Sequence, residues 1–192
     1  MIFFNALIWQ RYPQLKIAIN EMHANDMRQQ PDNRTPQRDA LTIFDENGIV
    51  IVSSQNSLLQ DIIDFNWRKL FQYERQTWQQ HCQCFVIGHA LYEKFLTPYI
   101  GLTAHALLVK TDDAFFEQSF AKQRAQLNHC IAKAILDGDL YSPQTLNPVP
   151  VLGVPEWWSE QTDAFYANSA YFRAKSRERQ VKMISLNPHE PF

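Results

Sequence analysis

The chain has 192 residues, of which 45% are apolar and 13% aromatic, and its formal net charge at neutral pH is −2. This length and apolar content are sufficient for one domain with a substantial core, and the small net charge excludes a general attraction to nucleic acid or to anionic membranes. The five glycines are widely spaced, which excludes the glycine-rich loops that bind nucleotide phosphates.

Two helices are predicted at the start of the chain. The run from Phe3 to Gln10 predicts a short helix, and Pro13 suits the first turn of a second helix that continues to about Arg28. The polar, proline-containing segment 28–38 then predicts a loop.

The next segment, RDALTIFDENGIVIVSS (38–54), is interpreted as a β-hairpin. Its runs at 40–44 and 49–53 are rich in β-branched and aromatic residues, and the intervening DENG is typical of a tight turn with Gly48 in the left-handed conformation. Because both faces of the runs are apolar, we expect the hairpin 40–53 to form the centre of a sheet that helices cover on both sides.

Strands and helices alternate beyond the hairpin. We predict a strand at CFVIG (84–88), a helix at HALYEKFL (89–96) and a strand at TAHALLVK (103–110). The Thr-Asp pair at 111–112 is expected to cap a long helix over 114–136.

Proline and aromatic residues dominate the segment 143–158, which we interpret as an extended strap over aromatic side chains. The composition of residues 165–184 predicts a final helix with a basic end. Residues 173–192 are expected to form a mobile C-terminal tail. The predicted fold is a single α+β domain over residues 1–192, with a mixed or antiparallel sheet around the hairpin 40–53.

Four residues near predicted strand ends are the candidate catalytic groups. Arg38 and Asp39 lie at the start of a strand predicted to be buried on both faces, where they form either a structural ion pair or part of a site. His89 follows a buried strand and begins a helix, and Glu93 lies one turn later, where it can orient the imidazole or share a metal ion. The alternative for His89 is a capping and packing role.

Candidate binding residues lie on the first two helices and near the C-terminal end. We expect Asn20 and His23 of the second helix to face the same pocket as His89, and Asn5 of the first helix to point towards a polar pocket. The alternative for His23 is an ordinary surface position. Arg173 is the fourth candidate binding residue.

Arg173 belongs to a basic cluster that follows several aromatic residues. The cluster comprises Arg173, Lys175, Arg177, Arg179 and Lys182. This mixture is typical of sites for single-stranded nucleic acid, but the acidic overall charge favours a solvated helix end, so nucleic acid is the disfavoured partner.

The DENG segment also has a chemical interpretation. An apolar strand that ends in Asp-x-Asp-Gly resembles the first motif of haloacid-dehalogenase-type phosphatases, in which the first Asp attacks phosphorus. The second carboxylate should be a general acid, but Asn47 stands there, and an amide cannot deliver a proton. We therefore interpret DENG as a turn.

The three cysteines, Cys82, Cys84 and Cys130, are an odd number in a chain of this size, which favours free thiols and a cytoplasmic location. His81 and His129 precede two of them, but a structural zinc site normally pairs C-x-x-C motifs, and the sequence has none. The sequence therefore identifies no metal and no cofactor. No stretch approaches the roughly 18 consecutive apolar residues of a membrane span.

Five ordered segments carry a resemblance to a known family. They are FFNALIWQRYPQLKIAIN, RDALTIFDENGIVI, GHALYEK, PVPVLGVPEWW and FYANSAYFR. They resemble DUF3025, a proteobacterial family of unknown function, from Phe3 to about Arg173. The resemblance implies a bacterial, cytoplasmic protein and supplies no catalytic residues. In that family Trp-His-Asp directly precedes the first segment, whereas Met1 and Ile2 stand there in this chain, so we expect it to lack an N-terminal part of the family.

The leading hypothesis is a small hydrolase, metal-assisted or metal-free, that acts on a polar or phosphorylated molecule. Asp39 and His89 would form its acid/base or metal-binding pair, and Arg38 would hold an anionic group. The alternative is a non-enzymatic binding or scaffolding protein that uses Pro148–Trp158 as a contact surface. Substrate and oligomeric state are not indicated by the sequence.

Overall fold

A computed structural model describes residues 2–176 and 178–190 of the chain. The helices are α1 (Ile2–Arg11), α2 (Pro13–Gln29), α3 (Pro36–Asn47), α4 (Asn56–Ile63), α5 (Arg75–His81), α6 (His89–Lys94), α7 (Phe120–Leu136) and α8 (Asp163–Tyr166). The strands are β1 (Gly48–Ser53), β2 (Cys82–Val86), β3 (Thr103–Lys110), β4 (Asn147–Pro150) and β5 (Met183–Ser185). The helices predicted at 3–10 and 13–28 and the strand predicted at 103–110 are confirmed.

The described strands form one mixed sheet with β1 and β3 at its centre. Strand β1 is antiparallel to β2 on one side and parallel to β3 on the other. The second edge of β3 is shared: β4 pairs antiparallel with residues 103–106, and β5 pairs parallel with residues 108–110. Helices lie on both faces, so the predicted α+β class with a mixed sheet is confirmed.

The hairpin prediction is wrong for its first half, because residues 40–47 belong to helix α3. Ala40, Leu41 and Phe44 are buried and lie on one face of that helix, and their close spacing in the sequence also resembled a strand. Gly48 has a φ of −78°, so it begins β1 instead of closing a left-handed turn.

The start of α3 carries the ordinary signals of a helix. The hydroxyl of Thr35 accepts a hydrogen bond from the backbone N–H of Arg38, and Pro36 occupies the first turn. The segment predicted as a loop therefore ends at residue 35.

An apolar core lies on each face of the sheet. On the first face, which we call the helical face, side chains of α1, α2, α3 and α7 pack against Val50, Val52, Leu107 and Val109. On the second, which we call the aromatic face, rings pack against Ile49, Ile51 and Leu108. These rings include Trp67, Phe71, Trp78, Phe165, Tyr166, Tyr171 and Phe172. The alternation of apolar residues between two covered faces explains the uniformly apolar strands.

The long helix begins later than predicted. Asp112 caps a short 3₁₀ turn, Asp113–Phe115, and the N-cap of α7 is Ser119, whose hydroxyl accepts a hydrogen bond from the N–H of Lys122. Helix α7 ends before Gly138, which has a φ of 82°.

Two predictions for the C-terminal third are corrected. Part of the strap is a strand, since β4 pairs with β3 despite its prolines. The final helix predicted over 165–184 is wrong, because the chain beyond α8 follows the aromatic face irregularly to bury Tyr171 and Phe172.

In the tail predicted at 173–192, Arg177, Pro191 and Phe192 lie outside the described residues, and the predicted mobility stays a prediction. Within the described residues, no helix combines the length and the apolar character needed to cross a membrane.

Candidate functional site

Two glycines allow the end of α3 to meet the start of α6. A Cβ atom on Gly88 would clash with the carbonyl oxygen of Glu46, and one on Gly48 would clash with that of Phe44. The N–H of Gly88 donates to the carbonyl oxygen of Gly48 at 2.8 Å. This close approach of two backbones places His89, the first residue of α6, against the last turn of α3.

Three charged or titratable side chains meet at this contact. Asp45, in the last turn of α3, accepts a hydrogen bond from the ammonium of Lys16 on α2 through Oδ1 at 2.5 Å. Its Oδ2 lies 3.8 Å from Nδ1 of His89, and its backbone carbonyl oxygen lies 2.9 Å from the same nitrogen. We call Lys16, Asp45 and His89 the junction cluster.

The contact with a carbonyl oxygen fixes the tautomer of His89. A carbonyl oxygen can only accept, so Nδ1 of His89 must carry a proton. In the neutral ring Nε2 is then unprotonated and can accept a proton or bind a metal ion. The side chain is 12% exposed, so most of the ring is covered by neighbouring residues.

Lys16 is the most buried member of the cluster, with a side chain 3% exposed. Its charge is balanced by Asp45, and its ammonium also lies 5.6 Å from the centre of the Trp9 ring. Buried lysines require such partners, because an isolated ammonium in an apolar interior is very unfavourable. No sequence pattern had indicated Lys16 as a site residue.

His23 and Asn5 are placed on the helices that border the junction cluster. Burial lowers the pKa of His23, while the charge of Asp45 opposes that shift and the charge of Arg38 adds to it. Oδ1 of Asn5 on α1 is buried and has no hydrogen-bond partner among the described residues. Asn20 is exposed on α2.

Arg38 and Asp39 lie in the first turns of α3, so the expectation that they begin a buried strand is wrong. Asp39 is 44% exposed and ion-paired with Arg34, and Nε of Arg38 lies 3.4 Å from Asp26. His89 instead contacts Asp45, about 9 Å further along the helix than Asp39 at 1.5 Å per residue.

Two further candidates are on the surface. Glu93 is exposed on α6, one turn after His89. Arg173 is exposed beside Trp67, whose indole N–H donates to the Arg173 carbonyl oxygen at 3.0 Å.

A second polar cluster lies where the parallel strands β1 and β3 end. Nδ1 of His81 is 3.3 Å from Oγ of Ser54 and 2.9 Å from Oδ1 of Asp113. Hydrogen bonds from Ser54 and then His81 lower the pKa of Asp113. Because serine and aspartate share one ring nitrogen, this is not the relay of a serine hydrolase, in which they bond opposite nitrogens.

The cysteines do not form a metal site within the described residues. All three are free thiols, and burial raises the pKa of Cys82, Cys84 and Cys130, the last to about 11. Among the residues that the structure describes, no three His, Cys, Asp or Glu side chains are grouped to hold a metal ion.

The strap residues close the core on the aromatic face. Val149, Val151 and Leu152 are fully buried. Trp157 and Trp158 are partly buried, and the Trp157 ring packs edge-on against Phe95 at 5.5 Å. Both indoles therefore pack against other residues of this chain.

Comparison with known proteins gives one family match. A sequence model described as "Protein of unknown function (DUF3025)" matches residues 2–176. No curated protein and no solved structure matches the chain.

Proposed function

We propose that this chain, which belongs to the DUF3025 family of proteins of unknown function, is a cytoplasmic bacterial hydrolase of a small polar or phosphorylated molecule, with His89 as its general base. The observation that supports the proposal is the hydrogen bond from Nδ1 of His89 to the carbonyl oxygen of Asp45. It leaves Nε2 as the proton acceptor.

Asp45 and Lys16 would position the base. When His89 takes up a proton, the Asp45 carboxylate, 3.8 Å from the ring, stabilises the imidazolium that forms. Lys16 holds that carboxylate in place from the other side. Because α3 packs against both α2 and α6, the three side chains are positioned before substrate binds.

The proposed reaction transfers a proton from water to Nε2 of His89. The water oxygen forms a bond to the carbonyl carbon or phosphorus of the substrate, and the bond to the leaving oxygen breaks. The imidazolium then returns the proton to the leaving oxygen. Asn5, with an unused buried acceptor, and His23 would bind polar groups of the substrate.

The substitution His89→Asn tests the base. The asparagine amide retains a donor near the position of Nδ1 and removes Nε2, so the contact with Asp45 can persist without the base. With p-nitrophenyl acetate and p-nitrophenyl phosphate as probes, with and without added Mg²⁺ or Mn²⁺, we expect kcat/KM to fall roughly 10²–10⁴-fold. His129→Asn, on the exposed side of α7, is the control and should leave the rate unchanged.

The substitution Asp39→Asn tests whether Asp39 or Asp45 is the carboxylate that acts with His89. If Asp45 is the partner of His89, D39N keeps the wild-type rate and its pH profile. Loss of activity in D39N alone, or full activity in H89N, would contradict the proposed site.

A further inference from the structure

Within the described residues the sheet has outer edges at β2, β4 and β5, and two of them are protected against pairing with another chain. Native proteins protect exposed strand edges with proline, charge, bulges or short strands. Strand β4 contains Pro148 and Pro150, which have no N–H to donate. Strand β5 is only three residues long and follows Lys182. The third edge, that of β2, is different.

Strand β2 carries none of these protections. Its sequence, CQCFV, contains no proline and no charged residue. Its pairing with β1 continues without a bulge over the whole strand. Gln83, Cys84 and Val86 are partly exposed, whereas every residue of β1 is buried. These features agree with a strand that is open along its outer side.

The hydrogen bonds to β1 define which backbone groups of β2 point outwards. The two that flank the strand run from the N–H of Ile87 to the carbonyl oxygen of Gly48 and from the N–H of Ser54 to that of His81. In an antiparallel pair, successive residues alternate between the two sides of the strand. The backbone groups of Gln83 and Phe85 therefore face β1, and those of Cys82, Cys84 and Val86 face outwards.

Two of the outward groups already have partners in this chain. The N–H of Cys82 donates to the carbonyl oxygen of Trp78, and the carbonyl oxygen of Val86 accepts from the hydroxyl of Tyr92 at 3.4 Å. Among the residues that the structure describes, no hydrogen bond uses the Cys82 carbonyl oxygen, the N–H and carbonyl oxygen of Cys84, or the Val86 N–H.

This set of free groups is complementary to itself. When two β2 strands pair antiparallel with Cys84 on a twofold axis, each Cys84 bonds its counterpart in both directions, and Cys82 lies opposite Val86 of the second copy. The Val86 N–H then meets the Cys82 carbonyl oxygen. The two groups that are already bonded within each chain face each other. An unrelated strand in this place would leave a donor and an acceptor of its own opposite those two groups, which favours a second copy.

The side chains beside the edge also suit a second copy. The strand is uncharged and the net charge of the chain is only −2, so two copies meet without strong repulsion. The Phe120 ring is 53% exposed and stacks on Phe85 with 5.6 Å between ring centres. In the symmetric pair Phe85 lies opposite Gln83 of the second copy, so association would also cover apolar area of Phe120.

We infer that the outer edge of β2 binds a second copy of this chain, so that the two sheets join in one continuous sheet. The twofold pairing uses the free edge of both copies, and assembly therefore stops at the dimer. The inference does not depend on the proposed hydrolase, because no residue of the junction cluster lies on β2.

Sedimentation velocity of the full chain over a range of concentrations tests the association. Because the interface is small, we expect a dissociation constant on the order of micromolar. The apparent mass should rise with concentration and level off at twice the 22.5 kDa of one chain.

The substitution Val86→Pro tests the edge itself. The Val86 N–H points away from β1, so proline retains the pairing with β1 and removes two of the four intermolecular hydrogen bonds. We expect the dissociation constant to rise roughly tenfold or more. Ser185→Pro is the matched control, because the N–H of Ser185 also points outwards, on the short strand β5, and the dissociation constant should stay unchanged.

Hydrogen exchange of the wild-type chain, measured by NMR for single residues, does not depend on the folding of a variant. The amides of Cys84 and Val86 should exchange more slowly above the dissociation constant than below it, and the amide of Ser185 should exchange equally at both concentrations.

Four results would overturn the inference. They are a monomer at every concentration, equal dissociation constants for V86P and S185P, growth beyond two copies, and exchange at Cys84 and Val86 that does not change when the chain dimerises. Should V86P fail to fold, the exchange of the wild-type chain decides the matter.

Discussion

The two faces of the sheet satisfy their buried polar groups in different ways. On the helical face, α2, α3 and α7 bond their own backbone groups, so the side chains towards the sheet are free to be aliphatic. On the aromatic face, much of the chain between residues 151 and 182 is irregular, and side chains bond its backbone.

Hydrogen bonds from three side chains illustrate the second arrangement. Gln161 donates to the carbonyl oxygens of Leu152 and Val154, and the Tyr166 hydroxyl donates to that of Gly153. Tyr171 bonds two further backbone groups. The stability of this face is therefore spread over many hydrogen bonds, whereas buried charge on the helical face is concentrated in the junction cluster.

The largest expected effect is the loss of stability when the buried Lys16–Asp45 pair is broken. Asp45→Asn leaves the Lys16 ammonium buried without its counter-charge, and we expect the free energy of unfolding to fall by about 3–5 kcal/mol. The control is Asp137→Asn, which removes an exposed pair with Lys133 and should change stability by less than about 1 kcal/mol.

Urea denaturation of both variants gives the measurement. Adding Lys16→Met to D45N should recover much of the loss, because the unpaired charge is removed as well. Equal free energies of unfolding for D45N and D137N would show that the buried Lys16–Asp45 pair contributes no more to stability than the exposed Lys133–Asp137 pair.

The second effect tests the aromatic face. Tyr171→Phe keeps the ring but removes a hydroxyl that bonds two buried backbone groups, and each group left unsatisfied is expected to reduce stability by about 1–3 kcal/mol. Tyr141→Phe removes an exposed hydroxyl bonded to Gln180 and is the matched control. A shift in urea midpoint no larger than that of Y141F would contradict the dependence on side-chain hydrogen bonds.

The third effect is a pH dependence from His105 on β3. Burial first, and then the charges of Arg179 and Lys94, lower its pKa from 6.5 to about 4. Above pH 6.5 the ring is neutral whether the chain is folded or unfolded. As the pH falls from 6.5 towards 4, only the unfolded chain takes up the proton, so the contribution of His105 to the free energy of unfolding falls by about 3 kcal/mol in total. Below pH 4 both states are protonated, and this contribution stays constant.

His105→Leu should abolish this part of the acid destabilisation. His129→Leu, at an exposed position, should retain it. The measurement is the urea midpoint between pH 7 and pH 4, and parallel curves for wild type and H105L would contradict the assignment.

The smallest effect concerns the cap of α7. Ser119→Ala removes the hydroxyl that accepts from the N–H of Lys122, and we expect a loss of about 1 kcal/mol. Ser142→Ala, which uncaps only the three-residue turn Pro143–Thr145, should lower the melting temperature less. The opposite order would mean that the irregular face, not the helical one, depends more on capping.

Periodicity was sufficient for much of the helical face. The proline at position 13 and the apolar spacing after it define α2. The run 103–110 defines β3 because it is mostly apolar and contains no glycine or proline, which suits a strand covered on both faces. For α3 the capping signals at Thr35 and Pro36 were present, but the β-branched and aromatic residues after Ala40 outweighed them in the sequence interpretation.

The junction cluster was only partly predictable. His89 was identified from its position after a strand. Asp45 was assigned to a turn, and its partner Lys16 lies 29 positions away on another helix. Contacts between side chains of separate helices depend on how those helices pack, which no local pattern encodes. The hydroxyl of Tyr171 likewise bonds the backbone of Leu102, 69 positions away, which only the packing of the whole chain brings near.

The shared edge of β3 affects how the protein is made. On the ribosome, the backbone groups of residues 108–110 have no partner on that edge until β5 has been synthesised, about 70 residues later. At ordinary rates of translation this interval is roughly 4–14 seconds. During it the nascent chain presents an open strand edge at Leu108 and Val109 that can pair with another chain. We therefore expect the yield of native protein in cells to depend on chaperones that bind the nascent chain before residues 183–185 emerge.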